Sequence, residues 1–378
     1  MNDLLNHQLC NELRNVINKT DIFIQDEKEN KKFLLICALM DRFDTAVKYI
    51  NEHQKTPKSE EELIIFMVYS CIVKDGVDYI KKVLGINKSE DRKIFEDIYI
   101  NEPIKIGANQ EFDDDKFFDY FRSLVFAHPL FTNRSIPNPM DGEIQYSPYI
   151  VMEPIWRTPF IDPIGAMIYS NKREIMQPVL ISFENLKEYI KGKYEEINNV
   201  TEGFEKIIKK KEIQWKKHKV NRKQDDIEIL KECVNILKER YMESYEIEEL
   251  ITYLTCKNSL KENIENVNKY RSEIKRVIPS ICDALDNYNI DDIYDTVSLL
   301  LYARPNAHPM MHYQLEKIFS YLNGEYGDTE WGLVQAEAFS KEFAKKWVNI
   351  KPREMDFDEI KMLTSVACYL EYIEQKEG

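Results

Sequence analysis

"KKFLLICALMDRFDTAVKYI", residues 31–50, decides the fold class. Phe33, Ile36, Cys37 and Met40 fall three and four positions apart, and Phe43, Ala46, Val47 and Ile50 repeat that spacing. An α-helix collects such positions on one face, whereas a half-buried strand would alternate apolar and polar residues. The spacing predicts two amphipathic helices, over 28–39 and 41–53. The flanking sequence follows suit. Residues 3–19 carry the same period, and "SEEELIIFMVYSCIVKDGVDYIKKVLG" (59–85) opens with Ser59 and Glu62 in capping-box spacing and ends at Gly85. "SEDRKIFEDIYI" repeats the start signal at Ser89. Residues 1–100 therefore read as about six short helices.

Between 101 and 183 the pattern changes. After the acidic cluster "EFDDDK", residues 116–127 predict one more helix, with Phe117, Phe118, Phe121, Leu124 and Val125 on its apolar side. Asp113, Asp114 and Asp115 then belong to a helix N-terminus, where negative charge is favoured. Eight of the 14 prolines lie between 129 and 178. The segments "YIVMEPIW", "GAMIYSN" and "PVLISF" read as short strands, with prolines at their ends as in edge strands and turns. From Glu184 helices return, over 184–218, 224–242, 246–257, 259–287, 291–303, 309–322, 328–348 and 356–375. The expected fold is mainly α, a multi-helix protein with a small antiparallel β insertion around residues 144–183. Three regions are expected: 1–110 helical, 111–183 with the motif helix and the β insertion, and 184–378 helical. No repeat of fixed period is present.

Composition narrows the function classes. With 378 residues, 43% of them hydrophobic and only 11 glycines, the chain has apolar surface for one large core or several smaller ones, and suits helices. The seven cysteines are scattered singly, as in a protein with reduced thiols, and no disulfide is expected. No apolar run approaches the roughly 20 residues of a membrane span, and the N-terminus is no export leader, so a cytoplasmic protein is expected. Richness in Lys, Ile and Asn suggests an AT-rich bacterial genome. A formal net charge of −14 argues against indiscriminate coating of nucleic acid. There is no glycine-rich phosphate loop and no G-x-S-x-G elbow, which removes the commonest nucleotide-binding and serine-hydrolase schemes.

One stretch carries a chemical possibility, "YFRSLVFAHPLFTNR", residues 120–134. RNA cleavage without a metal needs a group to move protons and a cation to hold the charge gathering on phosphorus. An imidazole such as that of His128 can move the proton, and Arg122 offers a planar fork to two phosphate oxygens. Pro129 disfavours helical geometry in the residue before it, so His128 is expected at the end of helix 116–127, free to fold back towards Arg122. At Arg122, Ser123, "LVFA" and His128 the sequence resembles the HEPN superfamily of ribonucleases, whose signature is an arginine, a polar neighbour and a histidine a few positions on. The resemblance implies metal-independent RNA endonuclease activity, no cofactor, a helical core, usually a homodimer, and a role in abortive infection, toxin–antitoxin pairs or other antiviral defence. It casts Arg122 as the phosphate holder, His128 as the proton carrier and Ser123 as an orienting group, with Arg134 as a further phosphate contact. Such an activity would call for a regulatory protein partner. The competing reading of the same residues is structural, Arg122 bonding locally and His128 satisfied at a helix end.

Three other features are weighed. "KIIKKKEIQWKKHKVNRK" (206–223) has nine Lys or Arg against one Glu, and Lys210, Lys211, Trp215, Lys216 and Lys217 would suit an RNA backbone and a stacked base. Charge runs are more often solvated helix ends. His308 and His312, with Glu316 four residues further, have metal-ligand spacing. Pro309, however, favours the first helical turn and leaves His308 outside, so no metal is expected, and Arg304, His308 and His312 are candidates only for lining a cleft. The alternative to an enzyme is a helical sensor or scaffold whose β insertion docks a protein partner.

Overall fold

The computed structural model describes residues 3–87, 92–96, 98, 113–132, 140–154, 160–174, 176–305 and 309–377, and the chain divides into two compact units, Met1–Ile208 and Lys209–Gly378. It is mainly α-helical with one three-stranded antiparallel sheet, as the periodicity predicts.

The first unit starts with α1 (His7–Asn18), α2 (Ile22–Gln25), α3 (Glu27–Glu52) and α4 (Glu60–Leu84). The stretch 31–50 lies in one continuous helix rather than the two expected. Neither glycine nor proline interrupts it, and the buried side chains Ile36, Met40, Phe43, Val47 and Ile50 form one stripe across Asp41 and Arg42, which stay exposed. Helix α4 uses both predicted signals: Ser59 Oγ accepts from the Glu62 N–H at 3.3 Å, and Gly85, at φ +68°, closes the C-terminus in the left-handed region. The predicted start at Ser89 lies outside the described residues.

Helix α5 (Asp114–Arg122) follows, capped by Asp113, whose carboxylate accepts from the Lys116 N–H at 2.7 Å. It buries Phe117, Phe118, Tyr120 and Phe121 and runs into a π-helical turn, Ser123–Ala127. Strands β1 (Gln145–Val151), β2 (Pro163–Ser170) and β3 (Gln177–Ser182) are ordered β1-β2-β3, with a bulge in β1 between Tyr146 and Tyr149. The central strand has a glycine where a side chain cannot fit: a Cβ on Gly165 would stand 2.0 Å from the Val179 carbonyl oxygen. Tyr120 ties α5 to the sheet, its hydroxyl donating to Gln145 Oε1 at 2.8 Å.

From β3 the chain enters α6 (Phe183–Glu195) directly, with Ser182 as N-cap. The helix expected over 184–218 breaks at Glu196, and α7 (Ile197–Trp215) continues across the boundary between the units. Glu196 is buried and reaches Lys81 at 2.5 Å and Lys193 at 3.6 Å, so its side chain is committed inward at the break.

The second unit contains α8 (Asp226–Glu239), α9 (Tyr245–Thr255), α10 (Ile264–Asn287), α11 (Ile290–Tyr302), α12 (Met311–Leu322), α13 (Glu330–Glu342) and α14 (Phe357–Glu377). They surround one core in which residues 360–370 of α14 are buried all round. Pro309 precedes α12 instead of occupying its first turn, because the helix begins only at Met311. No described helix is long and apolar enough to cross a membrane, and the seven cysteines are free thiols.

Candidate functional site

Lysines on the buried stripe of α4 explain what surrounds Arg122. Lys74 and Lys81 are buried, and a buried ammonium is tolerated only with carboxylate partners. Lys74 Nζ lies 3.0 Å from Asp119 of α5 and 3.4 Å from both Asp75 and Asp78. Lys193 of α6 reaches Asp115 at 2.8 Å and Asp78 at 3.0 Å. Arg122 closes this network at its outer end, with Nη1 2.9 Å from Asp75 and Nε 3.5 Å from Asp119. Cys71 lies beside it, and burial pushes that thiol up to about 11 against the opposing pull of Arg122. Burial disfavours the charged Arg122, but Cys71, Asp75 and Asp119 outweigh it and raise its proton affinity.

His128 ends the π turn. Its N–H donates to the Ser123 carbonyl at 3.0 Å, and its backbone, at φ −143° and ψ 50°, has left the helix, as Pro129 requires. The imidazole is exposed and has no hydrogen bond among the described residues. The His128 carbonyl accepts from Phe131 N–H and Thr132 Oγ1, and Thr132 pairs with Gln145 at the edge of β1. Ser123 donates its hydroxyl to the Asp119 carbonyl at 2.8 Å, so it bonds its own helix rather than orienting either motif residue. Arg134 lies outside the described residues.

Exposed apolar side chains follow His128 in the chain. Leu130 and Phe131 are 75% and 56% exposed, and Met140, Tyr149, Ile161 and Tyr169 of the same insertion are exposed as well. Composition gave no warning of this exposure, because apolar residues in a strand-rich segment look like core until the sheet's covered face is known.

The basic run belongs mostly to the second unit. Lys210, Lys216 and Lys217 are exposed on and just after α7, and Lys211 is half-buried. Trp215 stacks on Tyr288 with ring centroids 5.7 Å apart and meets Tyr241 edge-on, so one of its faces is already taken. The buried Arg240 donates to the Trp215 carbonyl at 3.0 Å and fixes this end of α7. His312 is exposed on α12, Glu316 pairs with Lys317 at 2.7 Å, and His308 lies outside the described residues. Arg304 lines a cavity of about 570 Å³ within the second unit, together with Tyr245, Glu249 and Tyr253. Among the described residues no group of three His, Cys, Asp or Glu is placed to hold a metal ion.

Searches of protein-family models, curated proteins and solved structures find no match to the chain.

Proposed function

We propose that this chain is a helical binding protein of sensor or scaffold type, and that its β insertion docks a protein partner. The observation that carries this reading is the set of apolar side chains left in solvent around the insertion, Leu130, Phe131, Met140, Tyr149, Ile161 and Tyr169. Six large apolar side chains exposed within one segment of forty residues favour an interaction surface over scattered exposure. Tyr and Phe are favoured interface anchors, since they bury a large area for few rotatable bonds. The test is the double variant Leu130→Ser/Phe131→Ser against the parent, each cross-linked in its native host and each sized in solution to detect a second copy. A partner, or a homodimer, held by the parent and weakened at least tenfold in the variant is the expected result. Complexes that survive unchanged in a folded variant remove the docking reading.

A metal-independent, HEPN-like RNA endonuclease is the second reading, with a place in phage defence or as a toxin. It is favoured by the exposed, unbonded imidazole of His128 directly after the π turn, since such turns recur at functional sites. It ranks second because Arg122 would have to exchange Asp75 and Asp119 for a phosphate. Expression of the parent, Arg122→Ala and His128→Ala separates the two. RNA fragments ending in 2′,3′-cyclic phosphate from the parent alone would establish the nuclease, and identical behaviour of all three would eliminate it.

A further inference from the structure

The basic run is sorted by face where α7 ends. The Lys216 N–H donates to the Glu212 carbonyl at 2.9 Å, so helical geometry continues one residue past Trp215. At that spacing Lys209 and Lys216, and likewise Lys210 and Lys217, fall seven apart on one face, with Ile213 between them. All five are exposed. Trp215 belongs to the opposite face, packed on Tyr241 and Tyr288. Burial, and after it the charge of Glu212, pushes the Tyr288 phenol up to about 12, which places the one carboxylate of the run near that aromatic cluster.

This end of α7 is braced from behind. Arg240, only 2% exposed, donates to the Trp215 carbonyl at 3.0 Å and to the Leu285 carbonyl at 2.8 Å. Val220 is buried, and its N–H donates to Asp286 at 3.0 Å. Neighbouring carboxylates are already engaged: Asp283 and Asp286 hold Arg222 at 2.7 and 2.8 Å, and Glu239 lies 3.2 Å from His218. Among the described residues the ammoniums of Lys209, Lys210 and Lys217 have no ion pair or hydrogen bond, and Lys216 has only the ring of Tyr288, at 5.7 Å. Like charges one turn apart destabilise a helix, and a chain with 66 acidic side chains against 52 Lys and Arg has carboxylates to spare for such a cluster. Four unneutralised ammoniums on a fixed backbone are therefore matched to negative charge from outside the chain.

We propose that this face of α7, through Lys209, Lys210, Lys216 and Lys217, binds a nucleic-acid strand by its phosphates, without selecting bases. The two lysine pairs stand about 10 Å apart along the helix axis, so the strip reaches more than one phosphate. A thin polyanion meets the strip alone, whereas a flat anionic membrane would also meet the acidic remainder of a chain of net charge −14. With Trp215 packed away, Ile213 is the one apolar side chain on the face, too little for a helix that lies in a membrane surface. The strip lies in the second unit, and the proposal rests neither on the β insertion nor on Arg122 and His128.

The probe is a fluorescein-labelled thymidine oligomer of about 20 nucleotides, titrated with the full chain and followed by anisotropy between about 50 and 200 mM salt. It has no 2′-hydroxyl, so a ribonuclease activity can neither produce nor mask the signal. Affinity is expected to fall with salt at a log–log slope of about −3, as four phosphate contacts on a single strand require. The fourfold variant Lys209→Gln/Lys210→Gln/Lys216→Gln/Lys217→Gln is expected to bind at least tenfold more weakly and with less than half that slope. Lys257→Gln/Lys261→Gln/Lys269→Gln/Lys345→Gln, which removes the same charge from other exposed positions, is expected to bind like the parent. No binding by the parent at the lowest salt, no loss in the first variant, an equal loss in the second, or capture of phosphatidylserine vesicles or polyglutamate in place of the oligomer overturns the proposal. Should the first variant fail to fold, the other two proteins still decide it: a parent slope shallower than about −1, or binding lost in the second variant, overturns it.

Discussion

Arg173 holds both oxygens of Glu143, with Nε 2.8 Å from Oε1 and Nη2 3.1 Å from Oε2, and the Glu143 side chain is wholly removed from solvent. Burial pushes this carboxyl up, but Arg173, the Met140 N–H and Ser170 outweigh it, and the net effect is to lower it. A lowered carboxyl stabilises the fold above its ordinary range and ceases to do so as the pH falls through its lowered value. Removing the partner leaves an uncompensated buried charge, so Arg173→Ala is expected to cost about 3–5 kcal/mol by urea unfolding. A loss below about 1 kcal/mol would show that the pair is hydrated rather than sealed. Arg122 differs at the same scale. Its side chain is 31% exposed and its partner Asp75 is half-exposed, so the pair has a far smaller part in stability and both groups can exchange partners.

Among the elements, α4, α5 and α6 are joined through charge as much as through their phenylalanines. Burial acts against the ammonium of Lys193, but Asp115 outweighs it, with Glu196 and Asp78 adding to it, and raises the group to about 12. A raised lysine gives its full stabilisation below the unfolded value, near 10.5, and loses it as the pH climbs to the folded value. The parent's advantage over Lys193→Met in urea midpoint is therefore expected to hold steady from pH 8 to 10 and to shrink between about 10.5 and 12, on top of the earlier alkaline loss from buried thiols such as Cys71. A parent and a variant with the same alkaline profile would place the loss elsewhere. The π turn after α5 is the other element-scale feature. It was invisible in the period of Phe117, Phe118, Phe121, Leu124 and Val125, because those five buried positions already fit the spacing of an α-helical stripe.

At the scale of the whole molecule, the fold class was legible because helix periodicity is a local property of neighbouring residues. The stripe through Ile36, Phe43 and Ile50, the Ser59 cap, the left-handed Gly85 and the three strands all follow from residues close in sequence. Helix ends inside continuous stripes were not legible: nothing at Met40–Asp41 marks a break, and the inward commitment of Glu196 depends on Lys81, 115 residues earlier. The candidate site shows the same division. That His128 would leave the helix was written in Pro129. That Arg122 would meet Asp75, 47 residues away, was not. Nor was it foreseeable that apolar side chains just after His128 would face solvent. Sequence by itself determined the helical architecture and the small β insertion, since those rest on dihedral preference and local spacing. Tertiary structure alone decided which charges meet, which apolar faces stay open and where space remains, because burial and Coulomb energy depend on distances that residues far apart in the chain acquire only on folding.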